Sequence, residues 1–279
     1  EMDGYIIGSS IILIGIVGIL GNLLFCYAIY KRPEIRSKHV IVCISGKTTE
    51  IAYDSLQFVN AICQMSHKQW KRSECFHYIV VYLFLSNFQA MMYVVIGADM
   101  LFALFQPFRY LGVRNFPYLL ILQLPSIAFG IEHPLHGFIY QEVDDPVILA
   151  CNPPLGTSQR TMQMWNISNI ALSIIVLLMY VTVAVKVLCL ARGKEESAAK
   201  ARFTRGVVKS ATVFSLFFSA SWFLSKINDR FAVFFPNLSQ NVIETLQTYS
   251  VIPAVASYAQ TYYVHFLMSR DFRNAFKVC

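Results

Sequence analysis

Long apolar stretches without charged residues dominate the chain. Six of them run for about 16 to 27 residues without Asp, Glu, Lys or Arg. They cover residues 4–30, 75–98, 115–131, 161–185, 210–225 and 245–269. A hydrocarbon core about 30 Å thick requires roughly 20 helical residues to cross it. The pattern therefore predicts six membrane-spanning segments.

A seventh apolar stretch, within residues 39–65, carries Lys47, Glu50 and Asp54. Backbone groups find no water in lipid, and the period-2 alternation that a barrel requires is absent, so all seven spans are predicted to be helices. The predicted fold class is an all-α integral membrane bundle of seven helices. Their predicted bounds are about 5–30, 39–65, 73–106, 114–139, 160–192, 202–234 and 241–268.

Composition supports one membrane domain over residues 1–279. Apolar residues make up 56% and charged residues 14% of the chain, whereas soluble proteins have about 45–50% and 25%. No internal repeat or soluble appendage is visible. Any functional site is therefore expected to be formed by the helices and their short loops.

Positive charges are distributed unequally between alternate loops. With the N-terminus outside, sixteen Lys and Arg residues fall inside and six outside, and Lys47 lies within a span. This bias predicts an outside N-terminus and an inside C-terminus. The net charge of +7 then reflects inner loops beside anionic lipid, not a nucleic-acid-binding module.

Two cysteines are predicted to face the oxidising side of the membrane. Cys75 opens the third helix and Cys151 lies in the outer loop before the fifth. We expect a disulfide between them, the alternative being two unrelated free thiols. At the inner end, Cys279 follows a possible amphipathic helix at 270–278 and is a palmitoylation candidate, although an unmodified tail explains it equally well.

Enzymatic signatures are missing from the sequence. There is no nucleophile–base pair, phosphate-binding loop or metal triad, so we expect no catalysis, no cofactor and no metal. His133 and His136 form at most a pair without a third ligand. Asn237 begins an Asn-x-Ser acceptor for glycosylation in an outer loop, whereas the acceptor at Asn166 is expected inside a helix and is discounted.

Several motifs resemble those of the rhodopsin-like G-protein-coupled receptors. Glu50 follows the Gly21-Asn22 pair by 28 positions, near where that family carries an acidic residue. Cys75 precedes Asp99 by 24 positions, and Pro107 follows Asp99 by eight, as in the family's disulfide cysteine, acidic-Arg-aromatic triplet and loop proline. Trp222 resembles the sixth-helix tryptophan beneath the ligand pocket.

More narrowly, the chain resembles nematode serpentine chemoreceptors of class SX. The matching stretches are 74–76, 97–101, 107–110, 151–154, 165–166, 221–225 and 269–276. The resemblance implies a receptor in the plasma membrane of sensory neurons, on their cilia, that detects environmental small molecules. It also implies a heterotrimeric G protein as partner, while the oligomeric state stays open.

The resemblance assigns residues to three roles. An activation switch would include Asn22, Glu50, Gln89, Asp99, Met100, Thr261 and His265. A ligand pocket would include Asn60, Tyr82, Ser86, Asn169, Trp222, Lys226 and Gln247. The G-protein-facing surface would include Pro107, Arg109, Arg202, Arg205 and Lys209. The basic residues of the third set have an alternative role in contacts with lipid phosphate.

Departures from the family pattern affect the switch. Met100 replaces the usual Arg of the triplet. In the last helix, the five residues from Thr261 to His265 replace the usual Asn-Pro-x-x-Tyr. Two interpretations of Glu50 stay open, namely a structural ion pair with Lys47 and a polar pocket that rearranges on activation. Asp99 is expected to pair with Arg109 or Arg114 across the inner loop, to stay solvated, or to lock the resting state.

The predicted pocket indicates the class of ligand. Tyr82 lies where amine receptors carry Asp, and Val255 lies where opsins carry Lys, so neither an ammonium ligand nor retinal is expected. A small neutral or weakly polar odorant fits best, and Lys226 would suit a carboxylate instead. The alternatives are a neuropeptide receptor, which acidic residues of the long outer loop would suit, and a transporter or channel.

Overall fold

The computed structural model describes residues 2–31, 38–66, 68–140, 145–148, 151–191, 217, 220–222, 224–225 and 239–268. Nearly all of them are helical. The helices are α1 (Met2–Lys31), α2 (Lys38–Met65), α3 (Arg72–Phe105), α4 (Pro107–Gly112), α5 (Asn115–Ile139), α6 (Pro153–Gly156), α7 (Gln159–Ala191), α8 (Gln240–Tyr249), α9 (Val251–Ala259) and α10 (Thr261–Met268). Trp222 and its described neighbours are also helical, within the predicted sixth span.

Three of the described helices are long and apolar enough to cross a membrane. They are Gly4–Lys31 of α1, Arg72–Phe105 of α3 and Gln159–Cys189 of α7. The predicted amphipathic segment at 270–278 and most of the predicted sixth span lie outside the described residues.

Helix α2 has the polarity opposite to that of a helix on a soluble protein. Its polar residues recur every three or four positions and are buried. They are Lys47, Glu50, Asp54, Gln57, Asn60 and Gln64. Its exposed face carries apolar residues such as Val59 and Ile62. A polar stripe inside a bundle and an apolar face outside are what a lipid environment favours.

Helix α3 lies at the centre of the bundle and packs against α2, α5 and α7. Helix α1 covers α2 and also packs against α9 and α10. A core of buried aromatic rings fills the space between the helices. It contains Tyr53, Tyr82, Tyr93, Tyr180, Trp222 and Tyr258. We call this set the aromatic core.

The last predicted helix, over 241–268, is divided. Helix α8 ends at Tyr249, and α9 begins at Val251. Pro253 explains the first break because it has no N–H to donate to the carbonyl of Tyr249. Ser250 keeps right-handed helical angles, φ −63° and ψ −18°, so the chain continues in the same direction.

The two ends of the bundle differ in their loops. At one end, strand β1 (Trp70–Lys71) pairs antiparallel with strand β2 (Val147–Ile148) in a two-stranded sheet that the sequence did not predict. The predicted disulfide between Cys75 and Cys151 is present at this end, which we call the disulfide end. Helix α4 lies at the opposite end, which we call the α4 end. Pro107 occupies its first turn, where a missing N–H costs nothing.

Candidate functional site

A small cavity opens between the helices at the disulfide end. Its described lining consists of Tyr53, Tyr82, Ser86, Pro153, Pro154, Trp165, Trp222, Ser225, Ser250, Val251 and Ala254. None of these residues carries a charge. The volume open to the centre of a water molecule is about 10 Å³, which is about what one water requires. A larger ligand therefore needs side chains or the covering loop to move.

The loop that carries Cys151 covers this cavity. Residues 151–158 are all buried, and two of them, Pro153 and Pro154, line the cavity directly. Asn152 fixes the loop in two ways, since its Oδ1 accepts a 3.0 Å bond from the Leu155 N–H and its Nδ2 donates to Thr248 at 3.3 Å. The loop is therefore a packed lid over the cavity.

Close packing under the disulfide explains one glycine of this lid. A Cβ placed on Gly156 would lie 2.7 Å from the sulfur of Cys75 and 2.6 Å from Ile79. Only glycine fits here without displacing the disulfide, so Gly156 allows the lid to lie directly against α3.

Hydrogen bonds outside the lid also hold its base. The backbone N–H and the hydroxyl of Ser73 donate to Asp145 at 2.9 and 2.7 Å. These bonds lower the pKa of the Asp145 carboxyl, so it stays ionised at neutral pH and accepts both bonds. The strand pair, Asp145 and the disulfide attach the long loop to the start of α3.

Three of the predicted pocket residues line the cavity: Tyr82, Ser86 and Trp222. Asn60 and Asn169 are buried but lie outside it. Asn60 donates to Gln57 at 3.1 Å, and Asn169 donates to the Trp165 carbonyl at 2.8 Å.

Two further pocket predictions and several modification or docking predictions are not addressed by the described side chains. Gln247 lies in α8, where the structure describes its backbone alone, as it does for Thr261 and His265 in α10. Lys226, Arg202, Arg205, Lys209, Asn237 and Cys279 lie outside the described residues.

Below the cavity, Lys47 and Glu50 form a buried ion pair within α2. The Lys47 ammonium donates to Glu50 Oε1 at 2.6 Å, and the Glu50 side chain is fully buried. Gln89 and Tyr93 of α3 donate to the same oxygen at 2.8 and 3.0 Å. The sequence-based ion pair is therefore present, and Gln89 lies beside Glu50 as the resemblance implied.

Asp54, one turn further along α2, differs from Glu50. It is fully buried, and neither carboxyl oxygen has a hydrogen-bond partner among the described residues. A Cβ on Gly18 would lie 2.5 Å from Asp54 Oδ2 and 3.1 Å from the Ala259 Cβ. Gly18 thus allows α1 to approach the carboxyl group closely.

At the α4 end, Asp99 of α3 is the centre of a second polar cluster. Its side chain is fully buried and accepts from Tyr118 of α5 at 2.7 Å. His39, at the start of α2, lies 2.7 Å from the other carboxyl oxygen, and Tyr110 of α4 donates to that oxygen at 3.4 Å. We call these four residues the Asp99 cluster.

The residues that contact Asp99 differ from those expected from the sequence. Arg109 is exposed and donates to Gln106 instead, and Asp99 is not solvated. The acceptor is surrounded by a histidine and two tyrosines from three other helices. Sequence spacing gave no signal for this, because Tyr118 follows Asp99 by 19 positions and His39 precedes it by 60.

A second contact joins α2 to α4. The Lys38 ammonium donates to the carbonyls of Val113 and Leu111 at 2.6 and 3.3 Å, and also to that of Tyr110. A cation at the C-terminal end of a helix satisfies unpaired carbonyls and opposes the negative end of the helix dipole. Burial and the nearby Asp99 carboxylate raise the pKa of the Tyr110 hydroxyl, so it remains a donor.

Met100 lies where the resemblance expected Arg, and it is partly buried. It packs against the aromatic core on one side and against a smaller apolar cluster with Val183 and Val187 on the other. Met100 therefore takes part in apolar packing at the position where the resemblance expected a charged side chain.

The aromatic core connects the cavity with this end of the bundle. Tyr53 stacks on Tyr82 with ring centres 4.8 Å apart and lies 4.4 Å from Tyr258. Trp222 meets Tyr258 edge to face at 5.5 Å. Because Tyr93 also belongs to the core and bonds to Glu50, cavity-lining rings and the ion pair share one packed unit.

Metal-binding clusters are absent among the residues that the structure describes. No group of three His, Cys, Asp or Glu side chains could hold an ion there. His133 is buried and contacts Glu132 and Ser168 at 2.8 and 3.3 Å, so it is not solvated. The chemistry available at the cavity is hydrogen bonding and aromatic packing.

The family model of the serpentine type seven-transmembrane G-protein-coupled chemoreceptors, Srsx, matches residues 15–279. The chain belongs to the Srsx family. The predicted seven-transmembrane fold and the suspected receptor class are thereby confirmed. No curated protein matches the chain.

In this Srsx chain the cavity lies at the disulfide end and the Asp99 cluster at the α4 end. The prediction missed eight lining residues of the cavity, and also Gln57, which bonds to the lining residues Tyr53 and Tyr82. The missed lining residues are Tyr53, Pro153, Pro154, Trp165, Ser225, Ser250, Val251 and Ala254. Those missed at the α4 end are Lys38, His39, Tyr110 and Tyr118. Gln57 alone carried a usable signal, because it continues the polar stripe of α2.

Proposed function

We propose that this Srsx receptor binds a small neutral molecule in the cavity at the disulfide end and activates a heterotrimeric G protein at the α4 end. The disulfide end faces outside in this proposal, in line with the distribution of Lys and Arg. The strongest support is the cavity between helices under a disulfide-anchored lid, whose described lining carries no charged residue. Apolar walls with few polar groups are typical of small-molecule sites.

Signal transfer would use the aromatic core. A ligand that separates Trp222 from Tyr258, or lifts Pro153 and Pro154, changes the packing that reaches Tyr93 and Met100. Closely packed interiors respond to such changes by switching between discrete arrangements. The Asp99 cluster is the contact that we expect to open, because it joins α3 to three other helices.

G-protein contact would involve the surface next to this cluster. Pro107 and Arg109 are exposed on α4. Arg202, Arg205 and Lys209 are proposed to add positive charge to the same face, where acidic partner groups would bind. In this proposal Asn237 carries a glycan outside, Cys279 a palmitoyl group inside, and the receptor resides in the membrane of sensory cilia.

A ligand screen tests the proposal. Cells that express the receptor with an N-terminal epitope tag are exposed to neutral volatiles, carboxylic acids, amines and a peptide library, and calcium and cAMP are recorded. We expect responses to neutral small molecules that Trp222→Ala reduces at equal surface expression. Val59→Ala, on the exposed face of α2, is the matched control. Responses confined to peptides would favour a peptide receptor and contradict the proposal.

A further inference from the structure

A cysteine, a histidine and an aspartate are in continuous contact at the α4 end of the bundle. His39 Nδ1 lies 2.7 Å from Asp99 Oδ2, and His39 Nε2 lies 3.7 Å from Cys43 Sγ. His39 and Cys43 are one turn apart on α2, whereas Asp99 belongs to α3. Sequence analysis identified no nucleophile–base pair here, because Asp99 is 60 positions away from His39. Together the three form a nucleophile, a base and a group that orients the base.

The Asp99 carboxylate determines how the histidine is oriented. A carboxylate only accepts hydrogen bonds, so His39 Nδ1 carries the hydrogen that points to Asp99. Tyr118 and Tyr110 donate to the same carboxylate and hold it in place. The other ring nitrogen, Nε2, is thereby directed at Cys43. Either protonation state of His39 favours attack by the sulfur, because a neutral imidazole accepts the thiol proton and an imidazolium stabilises the thiolate.

The surroundings of Cys43 determine which reagents reach it. Its side chain is partly exposed, and it packs against a buried apolar cluster that consists of Val42, Met92, Val95 and Ile96. None of these four residues carries a charge. A compound that approaches the sulfur here must therefore be small, uncharged and soluble in lipid.

We propose that Cys43 is a covalent modification site for small apolar α,β-unsaturated carbonyl compounds, with His39 as the group that takes the thiol proton. The sulfur attacks the β-carbon and forms an S–C bond, while the electron pair of the C=C bond moves to the α-carbon as the enolate. The proton on His39 Nε2 then passes to the α-carbon. The product is a thioether, and the reaction requires no leaving group, oxidant or reductant.

The adduct is expected to disturb the Asp99 cluster. It replaces the thiol hydrogen and adds carbon atoms beside a sulfur that is only 3.7 Å from the imidazole. We expect His39 to move away from Asp99 and basal output to rise. This consequence rests on the proposed function, since it assumes that the Asp99 cluster controls output, whereas the covalent site itself does not.

Peptide mass spectrometry measures the adduct directly. The full-length receptor in lipid nanodiscs is treated at pH 7 with N-ethylmaleimide, a small neutral α,β-unsaturated carbonyl compound. Cys26, which is partly exposed, and Cys189, which is exposed, are internal controls, because neither bonds to a histidine among the described residues. We expect Cys43 to react about tenfold faster, since an ordinary thiol is only a few per cent thiolate at this pH. Equal rates at the three cysteines would overturn the inference.

A variant of His39 tests its role as the base. In His39→Gln, the new amide can still donate to Asp99 but has no basic nitrogen. We expect the rate at Cys43 to fall to that at Cys26, and the rate at Cys26 to stay the same. An unchanged rate at Cys43 would contradict the role of His39. If this variant does not fold, the comparison within the unaltered receptor still decides whether Cys43 is the reactive site.

Cellular recordings separate the adduct from binding in the cavity. An unsaturated aldehyde or ketone is compared with its saturated counterpart, which has no C=C bond to attack. We expect only the unsaturated compound to leave output raised after washing, and Cys43→Ser to abolish this persistence. Persistence that Cys43→Ser retains would contradict the link between Cys43 and output. If the adduct forms at Cys43 but neutral compounds evoke no output, the proposed function fails and the covalent site stands.

Discussion

Glu50 and Asp99 are both buried carboxylates, yet their surroundings differ. Glu50 is paired with a lysine one turn away on its own helix, so its counter-charge moves with it. Asp99 has no partner from its own helix among the residues described, and His39, Tyr110 and Tyr118 come from three other helices. Movement of α3 against α2 breaks the bonds of Gln89 and Tyr93 to Glu50 but leaves the ion pair intact. The contacts of Asp99 all join separate helices, so helix movement breaks them.

From this difference we propose that the Lys47–Glu50 pair contributes to the stability of the receptor and that the Asp99 cluster takes part in its activation. A charge in the middle of the membrane costs at least about 2.5–3.5 kcal/mol unless it is paired. The Lys47–Glu50 pair offsets that cost within a single helix. The Asp99 cluster is suited to switching because it lies at the α4 end and because His39 is 32% exposed, so solvent can replace its bonds.

The largest predicted effect comes from breaking the ion pair on one side. Glu50→Ala leaves the Lys47 ammonium buried without its counter-charge, which costs about 3–5 kcal/mol in such cases. We expect little receptor at the cell surface and a strongly reduced thermal midpoint in detergent. The double variant Lys47→Met with Glu50→Gln removes both charges and keeps an acceptor for Gln89 and Tyr93, so both measurements should recover. Failure of the double variant to recover would show that the charges themselves are required.

An intermediate effect is expected at the Asp99 cluster. Asp99→Asn removes the carboxylate that contacts His39 and two tyrosine hydroxyls. A hydrogen bond to a charged group contributes about 1.5–3 kcal/mol, and exposure to solvent makes this contribution smaller. Because these bonds join separate helices, basal signalling should rise about fivefold or more at normal surface expression. Val59→Ala, on the exposed face of α2, is the control. Unchanged basal signalling in Asp99→Asn would remove the locking role.

The smallest effect is predicted at Asp54. Its oxygens have no hydrogen-bond donor among the described residues, so Asp54→Asn, of the same shape and without charge, should leave the thermal midpoint unchanged or slightly raised. The matched change Glu50→Asn should lower the thermal midpoint. It leaves the Lys47 ammonium without its counter-charge, and the shorter side chain no longer accepts from Gln89 and Tyr93. A large loss at Asp54 alone would mean that its carboxylate has a partner that the described residues do not include.

Much of the fold was predictable because lipid imposes a strong pattern. Uncharged stretches long enough to cross a bilayer identified α1, α3 and α7, and the loop positions of Cys75 and Cys151 identified the disulfide. Lys47 and Glu50 are three positions apart on one helix, so their pairing followed from spacing alone. Such features depend on local geometry or on solvent.

The sites were less predictable because they combine distant residues. The partners of Asp99 are separated from it by 60, 19 and 11 positions, and nothing in the sequence couples them. The division of the last helix was visible only at Pro253. The lid over the cavity was missed because loop residues are normally exposed, whereas Asn152 is buried against Thr248 of α8 and Gly156 is buried against α3.

The most direct test of the different roles of the Lys47–Glu50 pair and the Asp99 cluster compares the basal second-messenger output of two receptor variants at equal surface expression. One carries His39→Ala, and the other carries Lys47→Met with Glu50→Gln. The account predicts that His39→Ala raises basal output several-fold and that the double variant leaves it at the unaltered level. Raised output in the double variant together with unchanged output in His39→Ala would contradict it, because the ion pair would then be the switch.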